Sequence, residues 1–217
     1  FLDVQTATIN DISLGFHVEF DWKNSSLIDF DGFLFGEDTN SEPFLISASS
    51  QNSKHPEINL DLDCTSANCS EVISIGSLAS TGQYGVGMYL FGEGSNSTKI
   101  VDDRDKIKIN FIEGGTLRRT SNGGSEVTGG TTLLSLKPPE TGSGNAWLAA
   151  KIDPASAKVQ SINQIFDADA ETIAFVGQSE LQSIANQVDA QLQKVNNIAQ
   201  AVNQTLDVTL RTFLEFD

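Results

Sequence analysis

The stretch Ile12-Ser13-Leu14-Gly15-Phe16-His17-Val18-Glu19-Phe20-Asp21-Trp22, followed by Phe30-Asp31-Gly32-Phe33-Leu34-Phe35, decides the fold. In the first run, apolar and polar residues alternate without a break, which is typical of a β-strand with one buried and one solvated face. The second run is a shorter strand that follows a polar gap. Large apolar side chains on one face need an opposing layer, so we expect two sheets packed against each other.

Short strand signals continue along the chain as far as residue 166. Residues 1–10 suit an edge strand, and residues 114–130, which contain six glycines, suit a long hairpin. Glycines at every second or third place of residues 82–91 indicate a bulge, or another backbone or ring lying close. The other predicted strands are residues 44–48, 58–62, 72–75, 106–112, 131–136, 145–152 and 159–166. This pattern predicts a mainly β protein with a β-sandwich over residues 1–166.

The pattern changes in residues 167–217, which we interpret as a separate appendage. A capping box at Ser179 and apolar residues at spacings of three and four predict a long α-helix over 179–204, and period-two alternation predicts a terminal β-strand over 206–216. The helix would pack on its own sandwich or on another subunit, and the strand would pair within or between subunits. The residues expected to carry assembly are Val188, Leu192, Val195, Val202, Leu206, Val208, Leu210, Leu214 and Phe216.

The charge of the chain restricts its partners. The 217 residues carry a net charge of −16. Such a surface repels nucleic-acid phosphates and anionic lipids, so we expect no nucleic-acid partner, and with no apolar run long enough to cross a bilayer we expect no membrane insertion. The acidic surface is compatible with divalent cations, with basic partners or with simple solubility.

The cysteines and the glycosylation motifs indicate the compartment. Cys64 and Cys69 are separated by four residues and have no further Cys or nearby His to complete a metal site, so we predict a disulfide and a secreted or cell-surface protein. Residue 1 is expected to be a mature N-terminus after processing, or a boundary chosen for expression. Asn-x-Ser/Thr motifs predict glycosylation at Asn24, Asn68, Asn96 and Asn203.

Paired acidic residues are the candidate metal ligands. Residues i and i+2 of a strand share a face, so Asp29 with Asp31, and Asp61 with Asp63, each direct two carboxylates the same way. Such pairs repel each other unless a cation lies between them, and calcium prefers several oxygen ligands. The alternatives are a calcium site or merely solvated acidic faces. Other acidic clusters, among them Asp102, Asp103 and Asp105, suit plain loops.

No sequence motif of an enzyme is present, so we predict that the protein is not one. The chain lacks Gly-x-Ser-x-Gly, His-Glu-x-x-His and phosphate-loop patterns. Its two histidines, His17 and His55, are expected to lie at the surface. No pair of carboxylates is singled out for glycoside hydrolysis.

The order of motifs resembles secreted bacterial jelly-roll modules of the pre-peptidase C-terminal type. The resemblance spans about residues 12–165 and is carried by Trp22, residues 29–34, residues 73–78, Gly82-Gln83-Tyr84-Gly85-Val86 and Gly144-Asn145-Ala146-Trp147. It implies a jelly-roll sandwich that acts as a non-catalytic binding or structural appendage outside the cell. Asp29-Phe30-Asp31 is also similar to the calcium-binding strand of tellurium-resistance-type domains, although the dense acidic loops of that family are missing.

Two functions follow as expectations. The first is a structural subunit that self-associates into an extracellular fibre, sheath or surface layer, with calcium and glycans as further components. The alternative is a secreted carbohydrate- or surface-binding adhesion module that depends on calcium, in which exposed aromatics such as Tyr84 or Tyr89 would contact the glycan. The ligand and the symmetry of assembly are not specified by the sequence.

Overall fold

A computed structural model describes residues 4–23, 25, 29–37, 43–48, 57–77, 84–91 and 100–167. The predicted helix 179–204, the terminal strand 206–216 and all nine assembly residues lie outside these ranges. So do His55 and the glycosylation motifs at Asn24, Asn96 and Asn203. Those expectations stay predictions, as does the boundary between 1–166 and 167–217.

The described chain is mainly β, and all its strand pairs are antiparallel. The strands are β1 (Thr6–Thr8), β2 (Phe16–Asp21), β3 (Phe30–Glu37), β4 (Pro43–Ile46), β5 (Ile58–Leu60), β6 (Ser70–Ile75), β7 (Tyr84–Leu90), β8 (Lys108–Glu113), β9 (Thr116–Arg119), β10 (Ser125–Thr128), β11 (Thr131–Leu136), β12 (Ala146–Asp153) and β13 (Lys158–Phe166). Single 3-10 turns lie at Ile12–Leu14 and Ile100–Asp103.

Two sheets enclose one hydrophobic core, as the alternating pattern predicts. A six-stranded sheet has the order β1-β13-β12-β7-β3-β4, a five-stranded sheet has the order β11-β8-β2-β6-β5, and β9 and β10 form a separate hairpin. Side chains from both sheets meet in a single core cluster that contains Phe20, Trp22, Phe30, Phe111 and Trp147. Each of these five side chains is fully buried, which makes their packing a main source of stability.

The first strand is shorter than its alternation predicts. Ile12–Leu14 form a 3-10 turn whose N-cap is Asp11, and Gly15 follows with a φ of 88°. A positive φ breaks the extended backbone, so β2 begins only at Phe16. Leu14 is consequently 62% exposed, and the expectation that the alternating apolar residues of this run share one buried face was wrong for it.

The polar face of β2 is not solvated as predicted. Glu19 and Asp21 are each only 7% exposed, because the hairpin of β9 and β10 covers this side of the sheet. The N–H of Val127 in β10 donates to Glu19 Oε1, and Asn110 Nδ2 donates to Glu19 Oε2 at 2.8 Å. Buried carboxylates require such donors, so the hairpin and β8 replace the expected water.

The outer face of the six-stranded sheet is also apolar. Phe33 and Phe35 of β3 are buried and lie over Gly87 and Gly85, their cross-strand partners in β7. A Cβ at Gly87 would come within 2.3 Å of the carbonyl oxygen of Trp147 as well. This confirms the prediction that the glycines of residues 82–91 allow rings and backbone to approach closely.

None of the helices in the described part of the chain has the length and apolar character needed to cross a lipid bilayer.

Candidate cation site

Three aspartates meet at one end of the six-stranded sheet. Asp29 precedes β3, Asp31 is the second residue of β3, and Asp63 lies in the segment between β5 and β6. One carboxylate oxygen of each lies within 4.8 Å of the others. Three of the four predicted ligands therefore come together, whereas Asp61 is exposed and is not a member of the group.

The spacing of these oxygens suits calcium. Calcium ligands lie about 2.3–2.6 Å from the ion, so two ligands on opposite sides are separated by about 5 Å. The 4.8 Å limit of the aspartate group falls within that span. Calcium takes about six to eight oxygens, so three aspartates leave room for water or for hydroxyl groups of a ligand. Chemically, the arrangement can hold a hard cation and, through it, an oxygen-rich ligand.

Asp31 is the most constrained member of the group. Its side chain is 3% exposed, and burial is the main cause that raises its pKa to about 7, with further contributions from the charges of Asp29 and Asp63. A hydrogen bond from the Tyr89 hydroxyl acts in the opposite direction. Burial and the charge of Asp63 also raise the pKa of Asp29. The group thus concentrates negative charge that a bound cation would neutralise.

The spacing between Asp31 and Asp63 is controlled by a residue that the sequence analysis missed, Glu71. This side chain of β6 is fully buried, and its two oxygens accept one backbone hydrogen bond each. Oε2 accepts from the N–H of Gly32, the residue after Asp31, and Oε1 accepts from the N–H of Cys64, the residue after Asp63, both at 2.9 Å. Glu71 therefore connects the two segments that supply the ligands.

A sequence signal for Glu71 was present. In β6 it alternates in phase with Ile73 and Ile75, which face the core. An acidic residue in a buried phase needs partners, and this indicates a structural or functional role. Burial is the first cause that raises the pKa of Glu71 well above its usual value, while the hydrogen bonds from Cys64 and Gly32 oppose it.

The predicted disulfide between Cys64 and Cys69 is present, with its Cα atoms 6.5 Å apart. It closes the loop that follows Asp63, and the carbonyl oxygen of Asn122 in the β9–β10 turn lies 3.7 Å from Cys64 Sγ. The disulfide therefore holds the segment that supplies Asp63. Asn68 in the same loop is exposed, as its predicted glycosylation requires.

The aromatic residues near the site differ from those predicted. Tyr84 is fully buried in the core and Tyr89 is 2% exposed, so the expectation that they are exposed glycan contacts was wrong. Both belong to β7, which is covered on its two faces. Phe91, one residue after β7, is 44% exposed and lies edge-on to Tyr89. Tyr89 and Phe91, together with the three aspartates, line a cavity of about 210 Å³.

Other candidate residues have structural roles. Asp103 is buried and accepts from Ser25 and Lys106, and these contacts lower its pKa against the effect of burial. Asp102 and Asp105 are exposed, as plain loop residues would be. His17 is half-buried on β2 and bonds to the Ser74 hydroxyl, so the prediction of a surface histidine was only partly right, and burial lowers its pKa.

Comparison of the chain with family models, with curated proteins and with solved structures finds no match. The resemblance to modules of the pre-peptidase C-terminal type therefore stays a prediction based on the motifs in the sequence.

Proposed function

We propose that this protein is a secreted, non-catalytic jelly-roll sandwich that binds calcium through Asp29, Asp31 and Asp63 and uses the bound ion to hold a carbohydrate or cell-surface ligand. The observation that carries the proposal is the meeting of three carboxylates from two separate segments within 4.8 Å. The disulfide supports an oxidising compartment. The exposed ring of Phe91 beside the aspartates supplies the stacking surface that sugar recognition uses.

Calcium titration of single variants tests this proposal. We expect Asp63→Asn to weaken calcium binding by about tenfold or more, because it removes a charged ligand from an exposed position without disturbing the core. Asp61→Asn is the matched control, since this exposed aspartate is two residues away and outside the group. Binding is measured by calorimetry and by terbium luminescence sensitised through Tyr89. Equal affinities in the two variants, or no binding to the unaltered protein, would refute the proposal.

Replacement of Glu71 tests how the site is held together. In Glu71→Gln one oxygen becomes an NH2 group that faces a backbone N–H, so one buried hydrogen bond is lost at a cost of about 1–3 kcal/mol of unfolding free energy. We also expect calcium affinity to fall by about tenfold, because the spacing of Asp31 and Asp63 relaxes.

Glu19→Gln is the control for Glu71→Gln. Glu19 is another buried carboxylate that accepts two hydrogen bonds, but its donors Asn110 and Val127 lie on β8 and β10. The Glu19→Gln variant should lower the free energy of unfolding about as much as Glu71→Gln does and should leave calcium affinity unchanged. If both variants weaken calcium binding equally, the role assigned to Glu71 is wrong.

Self-association into a fibre, sheath or surface layer is the second candidate and stays a prediction of the sequence. The residues expected to carry it, in 188–216, lie outside the described part of the chain. Deletion of 206–217 that leaves the sedimentation behaviour unchanged at high concentration would exclude assembly through the terminal strand.

A further inference from the structure

The hairpin of β9 and β10 forms one wall of a second cleft, away from the aspartates. It is held on the five-stranded sheet by its turn, where a Cβ at Gly124 would lie 2.4 Å from Cys69 Sγ, and by a hydrogen bond of 2.7 Å from the Ser70 hydroxyl to the Ser125 carbonyl. The cleft has a volume of about 380 Å³. It is thus a groove between two packed elements and not a depression in a single loop.

The lining of this cleft has a charge opposite to that of the whole protein. Lys23, Arg118 and Arg119 contribute three positive charges and Glu126 one negative charge, in a chain whose net charge is −16. The nearby Asp21 is paired with Lys108 at 3.3 Å, and Glu19 is bonded to Asn110. Both carboxylates, and Glu126, also attract Lys23, so the positive charge that remains available in the cleft is that of the two arginines.

The two arginines have unused hydrogen-bonding capacity. Lys23 Nζ and Glu126 Oε2 form an ion pair at 2.7 Å, and Arg118 contributes only a longer-range attraction to Glu126. Within the described ranges, no residue forms a hydrogen bond or an ion pair with the guanidinium of Arg118 or Arg119. Both arginines line the groove, although as neighbours in β9 their side chains leave the strand on opposite faces, Arg118 beside Glu126 and Arg119 beside Ser125. Each guanidinium group can bind an oxyanion through two parallel hydrogen bonds.

We propose that this cleft binds a sugar that carries an oxyanion, either a carboxylate or a phosphate. Arg118 and Arg119 would hold the oxyanion, while polar groups of Ser121 in the hairpin turn and of Asn68 in the loop between Cys64 and Cys69 would contact sugar hydroxyls. The volume exceeds what an inorganic anion needs and falls in the range of small-molecule sites. Glu126 would compete with the ligand for Lys23 and Arg118, so its charge limits the affinity.

Titrations with glucuronate and glucose 6-phosphate test the proposal. The controls are glucose, which lacks the oxyanion, and inorganic phosphate, which lacks the sugar. We expect dissociation constants of about 1 mM or tighter for one or both acidic sugars and clearly weaker binding of glucose and of phosphate. The preparation should carry no glycan on Asn68, verified by mass, because a glycan there would stand at the rim. Phosphate bound as tightly as the acidic sugars would mean an adventitious ion only and would overturn the assignment, as would no binding of either sugar.

Variants separate a built site from general charge effects. Arg118→Ala with Arg119→Ala should weaken binding by about tenfold or more, since both side chains are exposed and their loss leaves the fold intact. Lys137→Ala with Lys158→Ala removes the same charge from exposed positions elsewhere and should change affinity less than about twofold. Equal losses in the two double variants would refute the site.

A substitution of opposite sign completes the test. Glu126→Gln frees Lys23 and Arg118 from their competing carboxylate and should strengthen acidic-sugar binding by about threefold. Asp61→Asn, at an exposed aspartate outside both sites, should leave this binding unchanged. Weaker binding in Glu126→Gln would contradict the proposed competition. Because the calcium site is measured separately, either proposal can fail without the other.

Discussion

Asp31→Asn is expected to stabilise the cation-free protein by about 4 kcal/mol at pH 8 and by less than about 1 kcal/mol at pH 4. The side chain is 3% exposed, and its pKa in the folded protein is raised to about 7 from an ordinary value of 3.8. The asparagine carbonyl can still accept the hydrogen bond from Tyr89. The variant therefore removes a buried charge and keeps its neighbour satisfied.

The direction of this pH dependence follows from proton binding. An acid whose pKa is higher in the folded state holds its proton more tightly there, so its contribution is fully favourable below pH 3.8 and is lost as the pH rises through about 7. Asp103, Glu113 and Glu126, whose pKa values are lowered, act in the opposite sense. These groups are common to both proteins, so their contributions cancel in the difference between variant and unaltered chain.

Chemical denaturation between pH 4 and pH 8, with and without calcium, measures the effect of Asp31→Asn. Calcium at about 100 times its dissociation constant should stabilise the unaltered protein by about 2.7 kcal/mol at pH 8 and the variant by about 1.4 kcal/mol or less, because loss of a charged ligand weakens binding by about tenfold or more. Asp61→Asn, in which the substituted residue is exposed, should match the unaltered protein in both respects. A variant that is less stable than the unaltered chain at pH 8 without calcium would contradict the assigned environment of Asp31.

Gly87→Ala is expected to lower the free energy of unfolding by about 3 kcal/mol or more. The added methyl group would lie 2.3 Å from the Trp147 carbonyl oxygen and 2.4 Å from Cζ of Phe33. The carbonyl belongs to the backbone of the neighbouring strand β12, so relief requires movement of a central strand pair and not of one side chain. Loss of this packing would also displace Tyr89, which contacts Phe33.

Gly76→Ala is the control for this substitution. Gly76 directly follows β6, and a methyl group there would approach the Glu57 carbonyl oxygen no closer than 3.3 Å. Denaturant titration should show a loss below about 1 kcal/mol for Gly76→Ala. Similar midpoints for the two variants would mean that the outer face of the six-stranded sheet is not closed over the glycines as described.

The strands were predictable from sequence because their alternation reflects burial. β11 has the bounds that its pattern predicts, and β3, β12 and β13 differ only at their ends. The period-two pattern failed at Ile12–Leu14, where the positive φ of Gly15 ends the extended backbone although the apolar spacing continues. Periodicity records which residues are apolar, but it does not record where the backbone turns.

The polar face of β2 shows a second limit of pattern reading. Glu19 and Asp21 indicate a solvated face, yet the hairpin of β9 and β10, about 100 residues later in the chain, covers them. The residues that satisfy Glu19 are Asn110 and Val127, and nothing near Glu19 in sequence indicates them. Contacts between distant segments depend on the tertiary fold, so local alternation could not predict them.

The sequence predicted that aspartates would form the candidate site, but it did not predict which of them would meet. Asp29 and Asp31 do meet, but Asp29 precedes β3 and has a φ of 70°, so strand alternation is not the reason. The i, i+2 rule also treated Asp61 and Asp63 as equivalent. Strand β5 ends at Leu60, so Asp61 and Asp63 lie outside the strand and the rule does not apply to them. The bridging by Glu71 could not be predicted, because Gly32 of β3 and Cys64 come to its two oxygens only in the folded protein.

A crystal structure of the protein grown with calcium tests the central claim most directly. The account predicts one ion at about 2.3–2.6 Å from a carboxylate oxygen of Asp29, Asp31 and Asp63, identified by its anomalous scattering. Glu71 should still accept hydrogen bonds from Gly32 and Cys64 in that structure. A calcium ion bound instead at Asp102 and Asp105, or none at the three aspartates under saturating calcium, would contradict the account.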